Sequence, residues 1–140
     1  MAESSKLHAA LMQGVVDAAL GLPMGVENAP FTDKPTDGSP WASVFIIPNQ
    51  PSVATLGHEG EDAHDGIVQI DLNYPLGKGE AAVRAKADQV ASFFKAGRRL
   101  SYQGVFATVS SCGRSRGREV DGWYRVSMTV TWFARVPRNP

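Results

Sequence analysis

The sequence has little cysteine, no excess of either charge sign and no long apolar run, and each shortage excludes something. Cys112 stands alone among 140 residues, so no intrachain disulfide can form and the chain fits a reducing compartment. Lys and Arg number 14 and Asp and Glu number 14. A dedicated nucleic-acid or anionic-membrane binder carries a surplus of Lys and Arg, so this balance argues against both. It also removes one barrier to self-association. No stretch approaches the roughly 20 apolar residues of a membrane span. The opening MAESSKLHAALMQGVV lacks a basic segment ahead of a long apolar run, so no signal peptide is expected. The expectation is a soluble protein made in the cytoplasm.

What is present is ordinary for a globular protein: 43% hydrophobic and 20% charged residues. The length suits one domain over residues 1–140 with its own core. The most regular stretch is Gly66 to Gly97. Val68, Ile70, Leu72 and Tyr74 alternate with Gln69, Asp71 and Asn73, the period of a strand with one buried face. Pro75 and Gly77-Lys78-Gly79 then turn the chain. From Glu80 the period becomes helical, with Val83, Ala87, Val90 and Phe94 on one stripe. Glu80–Arg84 and Arg84–Asp88 are spaced as i,i+4 pairs, worth about 0.3 kcal/mol each. Lys95 suits the last turn, and Gly97 the residue beyond it.

Around this unit, Ser4 or Ser5 caps a first helix striped by Leu7, Leu11, Val15, Ala18, Ala19 and Leu22, which Gly21 and Pro23 stop. Residues 24–40, rich in proline, read as an extended arm. Trp41 to Ile47 is a strand ended by Pro48, hydrophobic enough to be buried on both faces, one of them against a neighbouring subunit. Residues 49–65 read as a long polar loop, a length usually reserved for function or disorder. Gly104 to Ser111 is a strand, and Ser111 to Gly122 a Gly/Arg-rich turn. Trp123 to Arg135 alternates throughout as an antiparallel strand. Residues 136–140 read as a frayed tail. The expected fold is α+β: a mainly antiparallel four-stranded sheet with two helices packed on one face, in the order α-β-β-α-β-β, with a long loop between the first two strands.

The candidate chemistry is thin. Gly113-Arg114-Ser115-Arg116-Gly117 matches G-x-S-x-G, but it joins two strands, and His8, His58 and His64 all precede Ser115 instead of following it. His58, Glu59, Glu61, Asp62, His64 and Asp65 are suited by type to zinc or manganese, yet their spacing fits no metal-binding pattern, and a solvated acidic loop explains them. Gly77-Lys78-Gly79 lacks the remainder of a phosphate-binding loop. Arg114, Arg116 and Arg118 form a basic hairpin tip backed by Trp123 and Tyr124, a combination known from nucleic-acid binding, but Glu119 and Asp121 dilute it. Cys112 beside these arginines has a route to a lowered pKa; without a histidine it reads as an incidental thiol. No metal or cofactor is implied, and no enzyme is expected. Opposite charges on separate protrusions suit heterologous contacts, which close into rings where the rotation permits.

The ordered set Val26-Glu27-Asn28-Ala29-Pro30-Phe31, Leu56-Gly57, Gly66-Ile67-Val68-Gln69-Ile70-Asp71, Tyr74-Pro75-x-Gly77-x-Gly79, Ala87-Asp88, Gly97-x-x-Leu100 and Asp121-Gly122-Trp123-Tyr124 resembles the tail terminator proteins of long-tailed bacteriophages and prophages. The resemblance covers most of the chain and implies a structural role. Such proteins cap the tail tube as a ring, typically of six subunits, stop its polymerisation and present the surface for head attachment. The implied partners are further copies of the chain, the tail tube protein and the head–tail connector. DNA would pass through the lumen without specific binding, and the protein would sit at the head-proximal end of the tail. His58, Glu59, Glu61, Asp62, Asp65, Arg114, Arg116 and Arg118 are the candidate interface residues. The alternatives are a related neck, tail-completion or tail-tube protein, and a metal-dependent enzyme of unrecognised type.

Overall fold

The computed structural model describes residues 2–138, so residues 139 and 140 of the expected frayed tail lie outside it. In chain order the elements are α1 (Glu3–Asp17), β1 (Met24–Val26), β2 (Trp41–Pro48), β3 (Ser52–Val53), β4 (Glu61–Pro75), α2 (Ala81–Phe93), β5 (Arg99–Tyr102), β6 (Val105–Arg114), β7 (Arg118–Val120) and β8 (Trp123–Pro137).

This overturns the expected α+β fold with its mainly antiparallel four-stranded sheet. The protein is mostly β, and its eight strands form one curled sheet with the path β1-β2-β4-β8-β6-β5, to which β3 adds beside β4 and β7 beside β8. The sheet is mixed, because β1 runs parallel to β2. The strands missing from the expectation are the short ones, two to four residues long in polar or Gly/Pro-rich sequence. Such segments are too short to carry a period.

The two central strands, β4 and β8, are 15 residues each and pair from Glu61↔Pro137 to Pro75↔Trp123. At ~3.4 Å per residue this ladder is about 50 Å long. One face is apolar: Val44, Ile70 and Met128 share a row, as do Val109 and Trp132. Both helices contribute to the core on this face, α1 through Leu7, Leu11 and Val15 and α2 through Val83, Ala87 and Val90, with Phe94 fully buried just beyond α2. Burying a side chain of the Phe94 class contributes about 2–3 kcal/mol.

The opposite face carries Ser43, Asp71 and Ser127 in one row and Ile47, Ile67 and Thr131 in another. Ile47 is 45% and Phe133 50% exposed, so β2 is buried on one face and only partly on the other. Phe31 and Lys34 of the segment after β1 fold back onto the Trp41 ring at the end of this face. The expected extended arm is therefore partly strand and partly a cover over Trp41. The outer edge of β2 is closed to strand addition. Ala42 N–H donates to Pro23 O, β1 lies alongside Val44, Ile46 N–H donates to Glu27 Oε1 at 3.0 Å, and Pro48 has no N–H.

Several local expectations change as well. No side chain caps α1, whose N-cap is Ala2 and not Ser4 or Ser5. The strand expected at 104–111 is β6, which runs on to Arg114, and β5 pairs with it through a turn at Gln103-Gly104. Arg84 pairs with Glu80 at 3.0 Å, but Asp88 pairs with Arg114 across the fold.

Candidate assembly surfaces

Irregular backbone gathers at the two opposite ends of the β4–β8 ladder, and the sequence-predicted interface residues divide between them. At the Pro137 end, the expected 49–65 loop is mostly hairpin. β3 pairs with the start of β4, and only residues 54–60 form the tip. The tip is held by Arg138. Its Nε donates to Asp62 Oδ1 at 3.0 Å, its guanidinium to the carbonyls of Thr55, Gly57 and Glu61, and its backbone N–H to Gly60 O at 2.9 Å. Thr55 and Gly57 lie in the turn outside the ladder, and Glu61 opens β4, so the fork of N–H donors ties the turn to the end of the strand. The expected frayed tail is thus strand through Pro137 and a clamp at Arg138. His58 and Glu59 lie exposed on the tip, and Asp65 accepts a hydrogen bond from Asn49 Nδ2 at 3.0 Å. Leu56, at the apex, is 90% exposed.

At the other end, the Ser111–Gly122 turn is replaced by strand. β6 continues to Arg114, the chain bulges at 115–117, and β7 resumes the pairing with β8. The tip is Asp121-Gly122, both at positive φ (51° and 84°), as a two-residue hairpin of this twist requires. Arg114 and Arg118 therefore flank a bulge that contains Arg116, and none of the three forms the tip.

Ser115 holds the bulge. Its N–H donates to Ser127 O at 2.8 Å, and its Oγ accepts from Ser127 N–H at 2.9 Å and from Arg118 Nη1 at 3.0 Å. Arg118 Nη2 also reaches Ser127 Oγ at 3.0 Å, and that hydroxyl donates to Asp71 Oδ1 at 2.6 Å. Asp71 is 4% and Ser127 8% exposed. A charge-assisted network therefore ties the bulge to the centre of the sheet. Ser115 Oγ acts here as a brace, and among the described residues no histidine is hydrogen-bonded to it. Asp71, Ser127 and Arg138 were not singled out in the sequence. Asp71 and Ser127 occupy the polar positions of alternating strands, and only the register brings them together.

Arg114 and Arg116 border a groove of about 430 Å³ between the first turns of α2 and the bulge. Its floor includes Val83, Ala87 and Val126, its walls Glu80, Arg84 and Tyr124. Arg84 and Arg114 are balanced by Glu80 and Asp88; among the described residues Arg116 forms no ion pair. Burial pushes the Cys112 thiol above its usual range, and the nearby Arg114 charge opposes this only in part. The lowered pKa considered for Cys112 is thus reversed in direction. Among the described residues no group of three or more His, Cys, Asp or Glu side chains is placed to hold a metal ion. No described helix is long and apolar enough to cross a membrane.

The ladder thus carries a hairpin tip flanked by carboxylates at one end and an arginine-bordered groove at the other. The comparisons give the family. Residues 6–132 match the phage tail terminator protein family, and the chain belongs to that family. It is a structural protein of the phage tail. No curated protein sequence matches. Among solved structures, one is 18% identical with a TM-score of 0.71 over 95% of this chain and 94% of its own. Another, a chain in the virion of a native gene transfer agent particle, is 21% identical with a TM-score of 0.52 over 97% of this chain and 98% of its own. At these identities the likeness is one of fold.

Proposed function

We propose that this protein, acting as a single domain, caps the phage tail tube as a ring of six copies, stops tube polymerisation and presents the surface to which the head connector binds. The observation that carries this reading is the family match over residues 6–132. The ring would sit at the head-proximal end of the tail after synthesis in the host cytoplasm, from a phage or a prophage, with DNA passing its lumen unbound. Catalysis and cofactors have no part in this reading. His58, Glu59, Glu61, Asp65, Arg114 and Arg116 are proposed as direct contacts with subunit, tube or connector. Asp62 and Arg118 are proposed to act by shaping the hairpin tip and the bulge.

The test is native mass over a concentration series, with negative-stain images of the same samples and of samples mixed with tail tubes. A closed ring near six subunits that decorates one end of each tube is the expected result. Open tubes would reassign the chain as a tube subunit. Failure to decorate tube ends would sink the proposal.

A further inference from the structure

The β3–β4 tip and the arginine-bordered groove have complementary chemistry but lie at opposite ends of a ladder about 50 Å long at ~3.4 Å per residue. A chain cannot fill its own groove. We propose that the tip of one subunit seats in the groove of the next, with Leu56 on the apolar floor and the tip carboxylates against Arg116 and its neighbours. This rests on the ring reading and names its subunit contact.

Three observations carry the assignment. Leu56 is 90% exposed, yet the turn bearing it is tied by hydrogen bonds to Arg138. A preorganised apolar knob costs little further entropy on docking. The groove has the matching composition: buried Val83, Ala87 and Val126 below, and a rim of Arg84, Arg114 and Arg116. Only Arg116 of these three lacks an ion pair among the described residues, and Glu59 and Glu61 supply the opposite sign at the tip, while Asp62 is paired with Arg138. The contact joins two different patches, so it is heterologous and propagates in one direction, closing into a ring or continuing as a filament.

The test places one cysteine on each surface, Leu56→Cys and Arg116→Cys, in the full chain carrying Cys112→Ala. This protein is oxidised across the concentration series, with and without tail tubes. The expected product is a ladder of disulfide-linked species extending past dimer and ending at the ring number, whereas each single-cysteine variant stops at dimer. In parallel, Leu56→Asp, with an unchanged circular dichroism spectrum, should raise the concentration needed for assembly at least tenfold. A ring of unchanged native mass that gives no ladder overturns this contact and leaves the ring proposal standing. A ladder that never closes supports the contact and overturns the ring. A native chain that stays monomeric under every condition, with no cross-linking in the variant, overturns both.

Discussion

The two ends of the β4–β8 ladder hold irregular backbone by opposite strategies. At the β6–β7 bulge the brace is a nearby residue, Ser115, whose bonds to Ser127 span 12 positions and continue inward to Asp71. At the β3–β4 tip the brace is Arg138, which reaches back 76 to 83 positions to the partly buried Asp62 and the exposed Thr55. The first is anchored in a buried polar network. The second is a surface clamp, and screening limits what such a clamp contributes to global stability. The difference teaches that one end is part of the folding unit, whereas the other is ordered separately and is free to serve assembly.

That contrast can be broken at its strongest point by Asp71→Ala. The substitution leaves Ser127 Oγ and Gln69 Nε2 without their shared acceptor, and the expected cost is about 2–3 kcal/mol from lost charge-assisted bonding in a buried site. Urea unfolding measures it. A loss below about 0.5 kcal/mol would mean that the network does not anchor the bulge to the fold.

Arg138→Ala should produce a smaller global effect, about 1 kcal/mol, because its ion pair with Asp62 is only partly buried, the side chains being 30% and 31% exposed. Its signature is local: faster amide exchange and easier proteolysis across residues 54–61, with the β6–β7 bulge unchanged. Equal loosening at both ends would erase the distinction.

The smallest effect concerns Cys112, beside the bulge. Burial favours the neutral thiol, so at pH 8 it should be alkylated more slowly than an unstructured cysteine, and its rate should still be rising above pH 9. The same direction means that the folded state loses stability as pH rises through the unfolded thiol pKa. A rate that levels off at or below the ordinary thiol range would show that Arg114 outweighs burial.

What was legible in the sequence follows from length and period. The alternation of Val68 to Tyr74 and of Tyr124 to Trp132, and the stripe Val83–Ala87–Val90, locate two long strands and a helix because each buries one face repeatedly. The family resemblance was legible through ordered short motifs. The candidate surfaces were legible only as charge. Arg114, Arg116 and Arg118 read as a tip because their spacing says nothing of the bulge that separates Arg114 from Arg118.

By itself the sequence determined the alternating middle of the two ladder strands, the apolar side of α2 and the absence of any disulfide, since these depend on neighbours in the chain or on residue type alone. The first residues of β4, at 61–65, read as loop. Tertiary structure decided the rest. β1, β3 and β7 exist because a long strand offers unpaired N–H and C=O groups beside them, and segments of two or three residues gain order only from such a partner. Arg138 became a clamp and Asp71 an anchor for the same reason: a hydrogen-bonding group takes its role from whatever the fold brings within about 3 Å of it.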